Sequence, residues 1–103
     1  MLDEYKVSVA CVTNGGAFVK DYARQPDKYV EAMKETIRVA KKLGAGIVNS
    51  YCYYFALGHN ADVKPFIKVL RPIVEYAEKM DVVVVLENEA HDASGTPEGM
   101  LKI

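Results

Sequence analysis

The sequence predicts an α/β fold of parallel βα units, ordered β-α-β-α-β with the start of a further helix after the last strand. Three observations lead there. Short runs rich in β-branched and aromatic residues occur at 7–12 (VSVACV), 47–54 (IVNSYCYY) and 82–86 (VVVVL). Longer amphipathic stretches of helical period separate them. The strand starts recur at intervals of about 35 to 40 residues, the length of a βαβ unit with its right-handed crossover.

The first run ends at Thr13-Asn14-Gly15-Gly16, a strong turn signal. Residues 17–25 are irregular and polar, and Pro26-Asp27 opens the first helix. Val30, Met33, Ile37 and Ala40 recur on one side of it, with Leu43 extending that side. Lys34, Glu35, Arg38, Lys41 and Lys42 cover the other. Gly44 suits the C-cap because it accepts a positive φ without steric penalty. After the second run, Gly58-His59-Asn60 forms a loop leading to Asp62 as N-cap, with Pro65 in the first turn. Val63, Phe66, Ile67, Leu70, Ile73, Val74 and Ala77 make the buried stripe of the second helix. Pro72 falls inside the stripe and predicts a kink. The third run is apolar without alternation, as expected of a parallel strand covered on both faces. Thr96 and Pro97 then read as the cap and first residue of another helix.

The 103 residues suit a single domain, spanning 1–103. Three parallel strands leave two sheet edges unpaired and one face bare, so the domain is partial and calls for more strands or another copy of itself. A homo-oligomer burying the open sheet face is the partner expected on that ground.

Thirteen basic residues against fourteen acidic ones, with no basic face, speak against nucleic-acid binding. The longest strand-like apolar run is far shorter than the roughly 20 residues needed to cross a bilayer, so no membrane partner is expected. No signal peptide is legible at the N-terminus, and Cys11 and Cys52, each inside an apolar run, read as reduced buried thiols. Together these point to a cytoplasmic location.

Four segments resemble the xylose isomerase-like sugar isomerases and epimerases. IRVAKKLGA at 37–45 resembles the A-x-x-L-G-A helix ending before the family's fourth strand, and LRPIVEYAE at 70–78 resembles the following helix. VVLEN at 84–88 matches the L-E-N segment ending the fifth strand. Thr96-Pro97-Glu98 with Met100-Leu101 resembles the start of the next helix. The register holds from about Val7 to the last residue, nearly the whole chain. The resemblance implies that the chain forms part of a TIM barrel, covering strands three to five of eight.

It further implies that Glu87 is both a metal ligand and a catalytic group. The ion expected is a divalent one (Mn, Mg, Co or Zn), held only in the complete barrel, because the family's aspartate, histidine and second glutamate come from strands six to eight. An independent argument agrees: Glu87 is the first charged residue after five apolar ones, and so emerges at the carboxyl-end rim where barrel active sites lie. A carboxylate suits such hard ions. The candidates for substrate contact are Asn14, Tyr53, His59 and Asn88. Asn14 and the glycines after it offer backbone N–H groups. Tyr53 belongs to the aromatic cluster Tyr51, Tyr53, Tyr54 and Phe55, suited to a sugar's apolar face. His59 lies in the loop beyond. Where the family often carries histidine directly after E-N, this chain has Glu89, with His91 two residues later.

The function implied is proton transfer beside the carbonyl of a sugar or sugar phosphate through an enediolate, with the isolated chain inactive. Two alternatives stand beside it. One is an abasic-site endonuclease on the same barrel, which uses extra histidines where this chain has Thr13-Asn14 and Ser50-Tyr51-Cys52. The other is a non-catalytic truncated fragment that folds by self-association.

Overall fold

The computed structural model describes residues 3–14, 25–51, 58–90 and 93–103. A 3-10 turn at Asp3–Tyr5 precedes β1 (Cys11–Thr13), α1 (Pro26–Leu43), β2 (Ile47–Ser50), α2 (Lys64–Lys79) and β3 (Val83–Leu86). A second 3-10 turn (Ala93–Gly95) leads into α3 (Pro97–Met100). The strands form one parallel sheet in the order β1-β2-β3, with Cys11 opposite Ile47 and Ile47 opposite Val83. The expected α/β order of elements is present.

Strand lengths differ from expectation, for a reason lying in the neighbours. Residues 7–10 share the β-rich composition of β1, but β2 begins only at Ile47, preceded by the helix cap at Gly44. Nothing on β2 extends back to pair with them. Val82 is taken by the end of α2, where its N–H bonds the Ala77 carbonyl at 3.0 Å, so β3 starts one residue late. The strand expected over 47–54 is seen through Ser50; residues 52–57 lie outside the described ones.

Both helices carry most of the expected stripe, but Tyr29 rather than Val30 is buried at the start of α1, and Val74 of α2, expected on the stripe, is exposed. In α1, Tyr29, Met33, Ile37 and Ala40 are buried at spacings of three and four, and Gly44 caps the end at φ 74°. Leu43, expected on that stripe, is exposed at 45 %. In α2, Phe66, Ile73 and Ala77 are buried and the helix runs continuously through Pro72. Asp62 acts one position ahead of the cap: its Oδ1 accepts the Lys64 N–H at 3.0 Å, and helical residues begin at Lys64.

The helices cover one face of the sheet. Val12, Val48, Val84 and Leu86 pack there with the helix stripes in a common core. Alternation turns Cys11, Thr13, Ile47, Asn49, Val83 and Val85 to the other face. There Ile47 is 39 % exposed, Val83 60 % and Val85 37 %. The apolar run of β3 is therefore covered on one side only. Cys11 corrects the reading of a buried thiol: with Val12 facing the helices, its neighbour faces out and is exposed. Cys52 lies outside the described residues.

One polar pair pins α1 to β2. The Tyr29 phenol and the Ser50 hydroxyl, both buried, hydrogen-bond at 2.7 Å. Tyr29→Phe leaves that Ser50 bond unmade inside the core, so a loss of about 1–2 kcal/mol in urea unfolding is expected. An unchanged midpoint would show that the pair contributes nothing.

Between the helices, Tyr76 of α2 lies under two cations of α1, with Lys34 Nζ 5.7 Å and the Arg38 guanidinium carbon 5.8 Å from its ring centre. Glu35 anchors Arg38 at 2.6 Å. This clasp is solvent-facing and orients the helix pair more than it stabilises it.

Candidate functional site

The ladder between β2 and β3 ends where the Glu87 N–H donates to the Ser50 carbonyl at 2.8 Å. Glu87 shares the parity of Val83 and Val85, so its side chain leaves the carboxyl end of β3 on the open face. Two groups from the neighbouring strand meet it there. Asn49, opposite Val85 in the register, donates from Nδ2 to Glu87 Oε2 at 2.9 Å. Tyr51, one alternation further along, hydrogen-bonds the same carboxylate. That bond, then burial, then the charges of Glu87 and Glu89 hold the phenol above its ordinary pKa. The phenol therefore stays protonated and donates to the carboxylate.

Behind Glu87 the chain is tied tightly. The buried Ser94 hydroxyl accepts the Glu89 N–H at 3.1 Å and reaches the Glu87 carbonyl at 3.4 Å. Gly95 passes so close that a Cβ there would stand 2.6 Å from the Glu89 carbonyl oxygen and 2.9 Å from that of Ala90. Thr96 caps α3 through its Oγ1, which accepts the Gly99 N–H at 3.0 Å, as its place before Pro97 predicts. From the loop after β2, His59 Nε2 lies 2.8 Å from the Ala90 carbonyl oxygen and acts as donor.

The sequence-derived candidates are thus placed unevenly. Glu87 stands on the open face at the rim, and Asn88 follows it, exposed. His59 touches the loop that follows Glu87. Asn14 is buried at the end of β1 with its amide directed to Met33 Sδ at 3.2 Å, on the helix side of the sheet and away from Glu87. Its backbone stays in the ladder, the N–H donating to the Asn49 carbonyl. Tyr53, Tyr54, Phe55 and His91 lie outside the described residues. Asn49 was not anticipated. Its signal was the period of two shared by 47, 49 and 51 with 83, 85 and 87, which acquires meaning only once the register between the strands is known.

A divalent ion needs several hard ligands. Among the described residues no group of three or more His, Cys, Asp or Glu side chains is placed to hold a metal. Glu87 offers one carboxylate, which Asn49 and Tyr51 engage, so the described residues do not by themselves complete a metal site.

The family model that matches is described as xylose isomerase-like TIM barrel, and it covers residues 1–103. The chain belongs to this family. Comparison with curated proteins and with solved structures gives no significant match. Membership gives the open face its meaning. In a TIM barrel the strands turn one face to the helices and the other to the barrel interior, and function gathers at the carboxyl ends of the strands. Glu87, Asn49 and Tyr51 occupy that end on the interior face. No helix among the described residues is long and apolar enough to cross a membrane.

Proposed function

We propose that this chain forms part of a sugar or sugar phosphate isomerase or epimerase, with Glu87 as its acid–base group. The observation that carries the reading is the Glu87 carboxylate, projecting from the carboxyl end of β3 on the interior face and oriented by Asn49 Nδ2 at 2.9 Å. Family membership supports the sugar-converting class.

The chemistry is proton transfer beside a carbonyl. Glu87 takes the proton from the carbon next to the carbonyl, and the C–H electron pair forms the C=C bond of an enediolate as the carbonyl π pair moves onto oxygen. Return of a proton to the former carbonyl carbon, with the adjacent hydroxyl proton passing to the first oxygen, gives the isomer, and return to the opposite face of the original carbon gives the epimer. Asn49 and Tyr51 hold the carboxylate in one orientation, so it meets the substrate without having to be ordered first. Glu87 would also serve as one ligand of a divalent ion in a complete barrel, with the other ligands supplied by further strand ends. On this reading the 103-residue chain alone is inactive, because the three described strands supply one ligand and no closed mouth.

In a complete barrel containing this segment, Glu87→Gln is expected to lower isomerase or epimerase turnover at least about a hundredfold, within the range for removal of a general base. Sugar conversion is followed by chromatography with and without a chelator. Turnover that survives the substitution removes Glu87 from the chemistry. Turnover by the purified 103-residue chain shows that the other strands are not needed.

A further inference from the structure

Among the described residues, the ladder of the third strand ends at Glu87. Its last ladder bond is the Glu87 N–H to the Ser50 carbonyl, and the next backbone groups, the Glu87 carbonyl and the Glu89 N–H, are bonded to one side-chain oxygen. That oxygen belongs to Ser94, 1 % exposed, which returns from the loop to lie against the strand end. A hydroxyl carries one donor and two acceptor sites, so it can receive the Glu89 N–H and donate to the Glu87 carbonyl at once.

We propose that Ser94 is a positioning residue for Glu87: its hydroxyl ties the Glu87 carbonyl and the Glu89 N–H to one point and so fixes the direction in which the carboxylate leaves β3. The inference rests on the proposed role of Glu87. It explains why residues 87–90 and 93–99 are so closely folded. Gly95 lies within 3 Å of the Glu89 and Ala90 carbonyls through any added Cβ, which lets Ser94 reach the strand end. The Thr96 cap holds the following turn, and His59 grips the Ala90 carbonyl from the adjacent loop. The backbone around Glu87 is therefore held at Ser50, Ser94 and His59. Only the side chain is left to respond to what enters the mouth, and Asn49 and Tyr51 orient it. A positioning device of this kind lies outside the set of groups that touch substrate.

The test needs neither metal nor sugar. The Asn49 side-chain amide donates to Glu87 and reports where the carboxylate points. Its NMR resonance is located in the 103-residue chain and compared with that in Glu87→Ala, where the bond is gone. In Ser94→Ala the resonance is expected to move at least half of the way to its Glu87→Ala position, while the methyl signals of Ile37 and Val48 stay in place. An Asn49 resonance left at its original position, with only Glu89 amide protection lost, would show that Ser94 shapes the loop and does not position Glu87. Should Ser94→Ala fail to fold, Ser94→Cys keeps the volume, weakens both bonds, and is read against the same two outcomes. Failure of the sugar-enzyme reading would appear instead as surviving turnover in Glu87→Gln, with the Asn49 response intact.

Discussion

Phe66→Ala is expected to destabilise the protein by about 3–5 kcal/mol, the range for removing a large aromatic side chain from a core. Phe66 lies in the first turn of α2, fully buried, and packs into the cluster that joins both helices to the sheet. Other members of the same cluster, among them Ile73, Met33 and Val48, are themselves fully buried, and a close-packed core of this kind relaxes only partly around a deletion. Truncation therefore leaves a cavity in addition to the lost transfer energy. The effect is large for this chain in particular. Domains of ordinary size are stable by about 5–15 kcal/mol, and a sheet covered on one face only buries less than most. Urea unfolding followed by circular dichroism checks it. Leu43→Ala, at a position 45 % exposed, is the control and is expected to change stability by no more than about 0.5 kcal/mol. Similar losses in both variants would overturn the placement of the core.

Gly99→Ala is the second large effect. A Cβ at Gly99 would overlap the Ala93 carbonyl oxygen and crowd Thr96 Oγ1 at 3.1 Å. The obstacle is backbone, and Ala93 is held in a small cluster with Val63, bordered by Ala61, Ile67 and Ile103. Rotation of a side chain cannot relieve such a clash, so α3 must separate from the turn at Ala93–Gly95. The expected penalty is about 3 kcal/mol, at the upper end for overpacking. Its signature is local: hydrogen exchange accelerates at the Met100 and Lys102 amides, which bond Thr96 and Gly99 carbonyls, while α1 keeps its protection. Uniform acceleration throughout the chain, or none, would contradict this account. Because α3 lies directly behind Ser94, the same variant is expected to loosen the strand end that carries Glu87.

Much of the architecture was readable beforehand because it depends on residues close together in the chain. Gly44 ends α1, and Thr96 with Pro97 opens α3, through contacts spanning three or four positions. The stripes of α1 and α2 follow from helical period. Local reading failed where the outcome rests on a neighbour. Residues 7–10 look like strand but have no partner, since β2 starts at Ile47. Cys11 looks buried by composition, yet parity with Val12 turns it outward. Tyr29 was absent from the expected stripe, and its phenol finds Ser50 only because α1 packs across β2.

The candidate site divides in the same way. Glu87 was legible as the first charge after an apolar run and through its place in an L-E-N segment. Its partners were not. Asn49 and Tyr51 stand beside it because β2 and β3 pair with Ile47 opposite Val83, and a slip of one residue would have turned both to the helices.

By itself, the amino-acid order determined which segments become helix or strand, where several of them stop, and which acid group stands at a strand end. Tertiary structure alone decided which face of the sheet is covered, which groups hold that acid, and that Ser94 closes the backbone behind it. The physical reason is range. Period and capping act within one turn of chain, whereas register, facing and buried hydrogen bonds arise only when segments distant in sequence are packed together.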